Sequence, residues 1–393
     1  MERAWTSSST SSAHLQKWKP ARFEHLQTLF VGEHLRHRPL WRAQYLPAPN
    51  AYSSSTSLSG IGILPSSMKR LRVLVCGTNY GRIYRAAIQQ APRAFELVGI
   101  LARGSVRSLE LSRELGVPLY REVESLPGDI DIACAAMGTS GEGVVLRLLE
   151  HGIHVLCEHP HGPHFMETAK RIAAQHHVCF HVNGHFAGLQ AASAFIKHCN
   201  LMRRFAAPVF LDAMGTDRSL YGVLDILQSA SISFEPFEFL ARDHSPPFTL
   251  IKASAGGVPA TLQLQDSGTE GRMALKDGDP RYIVDYRLAV GFPHGVLNML
   301  SIVGPVIWNN NLFRSSKKNR RLWTFIDRRP GSSFDLYRQR VKANLMAVRC
   351  LVRSARGQFE PPEQNPEHIF AVSRAWAEII ALIHRPTHGG QQP

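Results

Sequence analysis

Two glycines near residue 80 stand where a chain can bind a diphosphate. Leu71–Cys76 is a short apolar run that predicts a β-strand, and Arg82–Gln90 predicts a helix. A strand, a glycine turn and a helix aim backbone N–H groups and the positive end of a helix dipole at a pyrophosphate. Asn79 replaces the middle glycine of the G-x-G-x-x-G pattern, and asparagine tolerates unusual backbone angles, so we expect the turn to form. The predicted diphosphate loop is Gly77, Thr78, Asn79, Tyr80 and Gly81.

The next predicted strand, Glu96–Leu101, is followed by basic residues rather than by an acid. A carboxylate here, about twenty residues after the glycine turn, would hold the ribose 2′-hydroxyl of NAD. No carboxylate follows until Glu110. Guanidinium and hydroxyl groups suit the 2′-phosphate of NADPH, which is therefore the predicted cofactor. The residues predicted to bind it are Arg103, Ser105, Arg107 and Ser108. The alternative is a solvated helix start that Ser105 caps.

Two histidines are the candidate catalytic residues. His159 directly follows the predicted strand His154–Cys157, at the edge of the sheet where a nicotinamide and a substrate would meet. Histidine titrates near neutrality and can donate a proton. His185 follows the next predicted strand and is the second candidate. Further cofactor contacts are predicted at Thr139, Glu158 and Pro160.

A metal site is not expected in the same segment, although nine histidines lie between residues 151 and 185. The spacing His159-x-His161-x-x-His164 falls in a predicted loop, and no cysteine or carboxylate completes a zinc pattern around it. Transfer of a hydride also requires no metal. We therefore predict no metal ligands.

The elements that position these residues alternate between strand and helix. Further strands are predicted at Ile130–Met137 and Val178–Val182, and further helices at Gly143–His151 and Met166–His176. This alternation predicts a parallel, doubly wound sheet. The fold class is therefore α/β, with a Rossmann domain over residues 68–183.

Residues 184–393 are predicted to form a substrate-binding α/β domain with a largely antiparallel sheet. Its expected strands and its C-terminal helix are Thr249–Ala255, Ala260–Gln265, Tyr282–Val290, Val296–Ile302 and, for the helix, Ile369–His384. Residues 1–67 are rich in Ser, Arg and His without a sustained period. We expect them to be a disordered leader, or a product of a start assigned upstream of Met68.

One run resembles the central signature of the glucose–fructose oxidoreductase (Gfo/Idh/MocA) family. It reads Leu-Leu-Glu-His-Gly-Ile-His-Val-Leu-Cys-Glu-His-Pro over residues 148–160. That family usually has a lysine where this chain has His159. It also has an Asp followed four residues later by a catalytic His, where this chain has Asp225 and Ser229. Both groups that serve alcohol oxidation are altered, so the resemblance disfavours a sugar dehydrogenase.

A branch of that family, the thiazolinyl imide reductases of pyochelin- and yersiniabactin-type siderophore biosynthesis, is more similar. The resemblance runs from about residue 68 to 382 and includes the histidine at position 159. The other segments that carry it are Val182-Asn183, Arg218-Ser219-Leu-Tyr221, Leu224-Asp225, Gly304-Pro-Val-Ile-Trp308 and Leu312-Phe313. It implies NADPH-dependent reduction of a thiazoline C=N to a thiazolidine while the substrate is thioester-linked to a carrier domain of a nonribosomal peptide synthetase.

The chain departs from this branch at one position that bears on the chemistry. Members can carry a tyrosine, a candidate proton donor, where this chain has Phe186. Phenylalanine cannot donate a proton, so that role does not transfer, and His185 is the candidate replacement.

Composition limits the remaining function classes. The net charge of +14 is concentrated in residues 314–356, where thirteen Lys/Arg face two Asp. No nucleic-acid-binding motif accompanies this segment, so a surface for an acidic carrier domain or a solvated face is expected rather than nucleic-acid binding. Six scattered cysteines without a C-x-x-C, and no apolar run of membrane length, predict a cytoplasmic protein that binds no membrane. We also expect a homo-oligomer.

Two alternatives stay open. An NADP-dependent sugar or hydroxy-compound dehydrogenase would use the same fold. A non-catalytic NADP-binding regulatory protein would explain why both of the family's catalytic groups are changed.

Overall fold

Short apolar runs build a parallel sheet in the first part of the chain. The structure is a computed structural model that describes residues 69–245, 248–265, 286–311, 323–327 and 333–384. All of these lie in one unit, Leu64–Pro393. The predicted leader at residues 1–67 lies outside the described residues, so its role stays a prediction.

The first sheet has six strands in the order β3-β2-β1-β4-β5-β6, and every neighbouring pair is parallel. Its strands are β1 (Leu71–Cys76), β2 (Phe95–Leu101), β3 (Leu119–Tyr120), β4 (Ile132–Ala135), β5 (His154–Cys157) and β6 (Phe180–Val182). The helices between them are α1 (Gly81–Gln89), α2 (Val106–Leu115), α3 (Glu142–Glu150) and α4 (Pro163–Gln175). The predicted Rossmann sheet is confirmed, with element ends that differ by a few residues.

The second sheet has eight strands in the order β14-β13-β12-β11-β7-β10-β9-β8. Its strands are β7 (Phe210–Thr216), β8 (Phe237–Ser245), β9 (Phe248–Ala255), β10 (Val258–Gln265), β11 (Arg287–Phe292), β12 (Gly295–Met299), β13 (Val306–Asn310) and β14 (Trp323–Asp327). The helices of this part are α5 (Gln190–Arg203), α6 (Leu220–Ser229), α7 (Ser333–Ala355) and α8 (Pro366–Ile383). Only the β7–β10 pair is parallel among these described strands, so the prediction of a largely antiparallel sheet is confirmed.

Helices cover both faces of the parallel sheet. Side chains alternate along a strand, and Val73 and Val75 of β1 pack towards α1 and α7. Leu74 and Cys76, one residue further along in each case, join the core that includes α3 and α4. The sheet is therefore doubly wound, and the helix that completes one of its faces comes from more than 250 residues further along the chain.

The helix α7 is the main element that the sequence did not predict. It lies inside the basic segment, where charged residues every three or four positions obscure its apolar stripe. That stripe is Val341, Leu345, Val348 and Leu351, all buried against the Rossmann sheet. The i, i+4, i+7 spacing is what an amphipathic helix requires. Both α7 and α8, which packs on α4 and α6, thus contact the nucleotide-binding part although they follow residue 184.

Each of the described helices is too short or too polar to cross a membrane.

Truncation of the α7 stripe should destabilise the protein strongly. Leu351 is fully buried, and we expect Leu351→Ala to lower the free energy of unfolding by about 2–5 kcal/mol, because the lost contacts leave a cavity. Met346 on the same helix is exposed, so Met346→Ala is the matched control, with a change of about 0.5 kcal/mol or less. Urea unfolding followed by circular dichroism measures both. Equal effects of the two changes would show that α7 is not part of the Rossmann core.

Candidate functional site

The carboxyl ends of four neighbouring strands meet at one edge of the parallel sheet. Backbone hydrogen bonds hold the ends level: Ala136 N–H donates to Cys76 O, Glu158 N–H to Ala135 O, and Asn183 N–H to Cys157 O, at 2.8, 2.8 and 2.7 Å. In an open parallel sheet this edge, at the point where the strand order reverses, is where ligands bind. The predicted site residues that follow β1, β4, β5 and β6 are therefore brought together.

The glycine turn forms, but by a different route from the predicted one. Gly77 has a φ of +87°, which is the left-handed region that favours glycine, and a Cβ there would collide with the carbonyl oxygen of Ala136. Asn79 has an ordinary negative φ, so the left-handed angle of the turn comes from Gly77 and the tolerance of asparagine is not needed. A Cβ on Gly81 would lie 2.9 Å from Val75 Cγ1, and Gly81 therefore lets α1 approach β1.

The start of α1 fits a diphosphate. The Tyr80 side chain forms no cap hydrogen bond with the helix, and the first turn contains no acidic residue. The first amides of a helix have no partner within the helix, and the dipole there favours an anion. These residues fit the diphosphate of a nicotinamide dinucleotide.

The serines predicted to bind the 2′-phosphate are engaged with their own helix. The Ser105 side chain caps α2 by accepting from Ser108 N–H at 3.4 Å, and the Ser108 hydroxyl donates to Ser105 O at 2.7 Å. The capping that the sequence offered as an alternative is therefore present. Arg103 and Arg107 are exposed, and Arg107 Nη2 donates to Thr78 O at 3.4 Å. Thr139 is also exposed, at the start of a short 3-10 helix at the end of β4.

His159 lies in an aromatic environment. Its ring centroid is 4.8 Å from that of Tyr221, 5.8 Å from that of Phe186 and 5.9 Å from that of His185. Both of its ring nitrogens are buried and have no hydrogen-bond partner among the described residues. Burial lowers the pKa of His159 to about 4, against the opposing charge of Asp225. His159 is consequently a neutral imidazole at neutral pH, and Pro160 follows it through a cis peptide bond.

Glu158 is the acceptor at the centre of a buried hydrogen-bond network. Its Oε2 accepts from the Tyr84 hydroxyl and from Asn183 Nδ2, both at 2.9 Å. Burial raises the pKa of Glu158 to about 7, although the two hydrogen bonds oppose that rise. Glu158 therefore exchanges its proton near neutral pH, which His159 does not.

His185 connects Glu158 to Tyr80. His185 Nδ1 lies 3.6 Å from Glu158 Oε1, and the Tyr80 hydroxyl lies 2.9 Å from His185 Nε2. Asn344 Nδ2 donates to the Tyr80 hydroxyl at 3.1 Å, which leaves the hydroxyl proton of Tyr80 free to bind Nε2. This arrangement puts the ring proton of His185 on Nδ1, towards the carboxylate. Burial, followed by the neighbouring His159, lowers the pKa of His185.

Two residues of α7 belong to this network, and the sequence did not identify either. Asn344 is fully buried and also accepts from Asn183 Nδ2 at 2.8 Å. The Arg340 guanidinium lies 5.3 Å from the Tyr80 ring centroid and 5.2 Å from that of Phe186. Arg340 belongs to the basic segment of residues 314–356, but its guanidinium lies inside the site. No local pattern marks these residues, because their partners are more than 150 positions away.

The cluster of histidines does not converge. His161 Nδ1 lies 2.8 Å from Glu142 Oε1, and its Nε2 lies 3.4 Å from Cys157 Sγ. His164 is exposed. The structure instead brings potential ligand atoms of Glu158, His159 and His185 within 4.8 Å of one another. The absence of a metal stays a prediction.

Asp225 has a partner that the sequence pattern does not show. Ser229 stands four residues after it, but His368 of α8 binds the carboxylate, with Nε2 2.8 Å from Asp225 Oδ1. The second oxygen, Oδ2, is buried without a partner among the described residues. A Cβ on Gly184 would lie 2.5 Å from that oxygen, which places Asp225 next to the β6 end of the site.

Residues 71–184 match the family model GFO_IDH_MocA, described as an oxidoreductase family with an NAD-binding Rossmann fold. This segment is similar to the nucleotide-binding domain of that family. No relative is found among curated protein sequences. The family match supports the coarser part of the predicted identity, a pyridine-nucleotide-dependent oxidoreductase of the Gfo/Idh/MocA type.

Solved structures show the same fold beyond the Gfo/Idh/MocA domain. GenD2 from gentamicin A biosynthesis, in complex with NAD, is 13% identical with a TM-score of 0.59 over 80% of this chain and 95% of its own. UDP-N-acetylglucosamine 3-dehydrogenase GnnA from Acidithiobacillus ferrooxidans is 15% identical with a TM-score of 0.58, over 80% and 98%. Biliverdin reductase from Synechocystis sp. PCC 6803, in complex with biliverdin and NADP+, is 13% identical with a TM-score of 0.57, over 79% and 98%. At these identities the likeness establishes the fold alone.

The buried Glu158 should make stability depend on pH. The folded protein holds the Glu158 proton up to about pH 7. The unfolded chain releases it near the ordinary pKa of glutamate, about 4.3. Between these values the folded state binds more protons, so this contribution lowers the free energy of unfolding as the pH rises. Glu158→Gln should remove it, and the variant should gain stability relative to the natural protein from pH 5 to pH 8.

Urea unfolding at pH 5, 6, 7 and 8 measures this difference. Glu150→Gln, at an exposed position of α3, is the matched control and should follow the natural protein at every pH. Parallel curves for the natural protein and Glu158→Gln would contradict the raised pKa.

Proposed function

We propose that the protein is an NADPH-dependent reductase that converts the C=N bond of a carrier-bound thiazoline to a thiazolidine, a thiazolinyl imide reductase of siderophore biosynthesis. The observation that supports it best is the pairing of a neutral His159 with a buried Glu158 whose pKa is about 7. A carboxyl with this pKa is partly protonated at neutral pH and can supply a proton. Reduction of an imine requires a proton donor, whereas oxidation of an alcohol requires a base.

The reaction consists of one hydride and one proton transfer. NADPH would supply the hydride to the imine carbon, and the protein must supply the proton to nitrogen, so that C=N becomes CH–NH. Binding the cofactor falls to the glycine turn and the arginines after β2. Supplying the proton falls to the residues at the ends of β5 and β6.

Glu158 is the residue in which we place the stored proton. Its carboxyl exchanges protons near neutrality, and His185 lies next to both Glu158 and the Phe186 ring. His185 is proposed to position Glu158 through Nδ1, and the Tyr80 hydroxyl to fix the tautomer of His185. His159 is proposed to orient the imine nitrogen by a hydrogen bond from its neutral ring, so that Glu158 can protonate that nitrogen.

Tyr221 is a further candidate donor that the sequence reading did not single out. Its ring lies beside that of His159, with 4.8 Å between centroids. Together with Phe186 and Tyr286, whose ring centroids are 5.1 Å apart, Tyr221 gives the site a largely aromatic wall. A flat heterocycle is more compatible with such a wall than a sugar, whose hydroxyls need hydrogen-bonding partners.

The proposed activity is tested with NADPH and a thiazoline thioester, by following the loss of NADPH absorbance. We expect turnover of the thiazoline and none of a sugar nucleotide with NADP+. His159→Asn should lower kcat roughly 10²-fold, in the range of general-acid loss, with little change in the KM for NADPH. His164→Asn, an exposed histidine, is the matched control and should be fully active.

Two outcomes would contradict this function. If a sugar nucleotide is oxidised and the thiazoline is not reduced, the dehydrogenase alternative is favoured, which GnnA exemplifies within the same fold. Binding of NADPH without turnover of either substrate class would favour the regulatory alternative. If His185→Asn or Tyr221→Phe loses rate while His159→Asn keeps it, the proton is supplied by that other residue.

The partner is proposed to be an acidic carrier domain that docks on the outer face of α7. Four basic residues at the C-terminal part of the described chain are exposed there: Arg338, Lys342, Arg353 and Arg356. The opposite face of α7 carries Arg340 and Asn344 into the site, so a carrier on this helix would lie close to the chemistry. The other basic residues predicted for this role, Lys317, Lys318, Arg320 and Arg321, lie outside the described residues.

Charge neutralisation tests the docking surface. The Lys342→Gln/Arg353→Gln/Arg356→Gln variant should slow the reduction of carrier-bound substrate about fivefold or more at low salt, because opposite charges steer association. A small free thiazoline should be reduced at the natural rate. Lys197→Gln/Arg203→Gln/Arg204→Gln removes the same charge from exposed residues of the α5 region. Equal slowing by both triple variants would show general attraction rather than docking on α7.

A further inference from the structure

Arg121 is an arginine that lies beside the predicted 2′-phosphate site, although it is far from that site in sequence. It directly follows β3, the two-residue strand that pairs with the end of β2. Ala102 N–H donates to Tyr120 O at 3.0 Å, so the chain after β3 leaves the sheet next to the chain after β2. This pairing brings Arg121 to the same edge as Arg103.

Gly104 leaves the space that the Arg121 guanidinium fills. Gly104 has a φ of +83°, so a residue with a side chain would be strained there. A Cβ at this position would lie 2.6 Å from Arg121 Nε and 2.9 Å from its Cζ. The arginine therefore lies directly against the backbone of the loop that follows β2, and only glycine allows this approach.

The three arginines around this loop form no ion pair with a carboxylate of the described residues. Arg103, Arg107 and Arg121 are all exposed. Arg107 also reaches back to the glycine turn through Thr78 O. Like charges held this close repel one another, so the cluster is suited to an anion of high charge.

The anion that fits is a phosphate monoester attached to an adenosine. A phosphate monoester carries about −1.5 to −2 charges at neutral pH, and guanidinium groups bind it through paired N–H donors. The cluster lies at the end of β2, where a Rossmann domain holds the adenosine ribose. A dinucleotide without the 2′-phosphate would leave the three positive charges uncompensated.

We propose that Arg121, held against Gly104, is a specificity-determining residue that binds the adenosine 2′-phosphate of NADP together with Arg103 and Arg107. This deepens the proposed use of NADPH and rests on it. It assigns the discrimination to a residue from β3 as well as to the two from the β2–α2 loop.

Binding of adenosine fragments by the full-length protein tests this without any turnover. Isothermal titration calorimetry compares 2′,5′-ADP, which carries the 2′-phosphate, with 5′-AMP, which lacks it. We expect the natural protein to bind 2′,5′-ADP more tightly. Arg121→Ala should weaken the binding of 2′,5′-ADP at least tenfold and the binding of 5′-AMP less than twofold. Arg113→Ala, an exposed arginine in the last turn of α2, should leave both affinities unchanged.

The glycine provides a second variant. Gly104→Ala displaces the Arg121 guanidinium, so it should also weaken 2′,5′-ADP selectively. The double variant Gly104→Ala/Arg121→Ala should bind 2′,5′-ADP no more weakly than the weaker-binding single variant does, because the two changes remove the same contact. Thermal melting followed by circular dichroism checks that each variant is folded.

The outcomes separate this inference from the proposed use of NADPH. If the natural protein prefers 2′,5′-ADP and Arg121→Ala keeps that preference, the role of Arg121 is overturned while the use of NADPH stands. A natural protein that binds the two fragments equally overturns both. Equal weakening of both fragments by Arg121→Ala would make Arg121 a contact of the adenosine rather than of the phosphate, which also overturns the inference.

Discussion

A carboxylate buried at the end of a strand must be surrounded by hydrogen-bond donors, and Glu158 imposes this requirement on the whole site. Its donors come from α1, through Tyr84, and from the end of β6, through Asn183. Removing a buried polar group from its partners costs about 1–3 kcal/mol for each one left unsatisfied. The relative positions of α1, β5 and β6 are therefore fixed by the same hydrogen bonds that limit the rise in the pKa of Glu158.

The helix α7 extends this constraint to the second part of the chain. Asn344 connects Asn183 to Tyr80 by accepting from one and donating to the other. Arg340 lies over the rings of Tyr80 and Phe186, and its positive charge limits the rise in the pKa of Glu158. The chemistry of the site thus depends on a helix whose own position comes from apolar packing against the parallel sheet. A change in the packing of α7 would therefore also change the electrostatics of the site.

The sequence predicted the parts of the site that local patterns determine. The apolar run of β1, the glycine turn after it and the Ser105 cap, which the sequence offered as an alternative, are local signals, and the structure contains all three. The position of His159 follows from the length of β5 for the same reason. Arg340, Asn344 and Arg121 escaped prediction because long-range packing places them. β3 is only two residues long, which is too short to show a period, and the apolar stripe of α7 is masked by its charged residues.

The origin of α7 also sets an order of events during synthesis. A ribosome releases β1 and α1 early, but the apolar face formed by Val73, Val75 and Leu156 is covered by α7. That face is only partly covered, by α1, until the chain has been made past Leu351. Domains commonly fold one after another as they emerge, yet here the nucleotide-binding domain, the first to be synthesised, is among the last to be completed. In the nascent chain, the part of this face that α7 covers stays exposed to solvent while the second sheet is translated. A chaperone that protects the nascent chain would bind there.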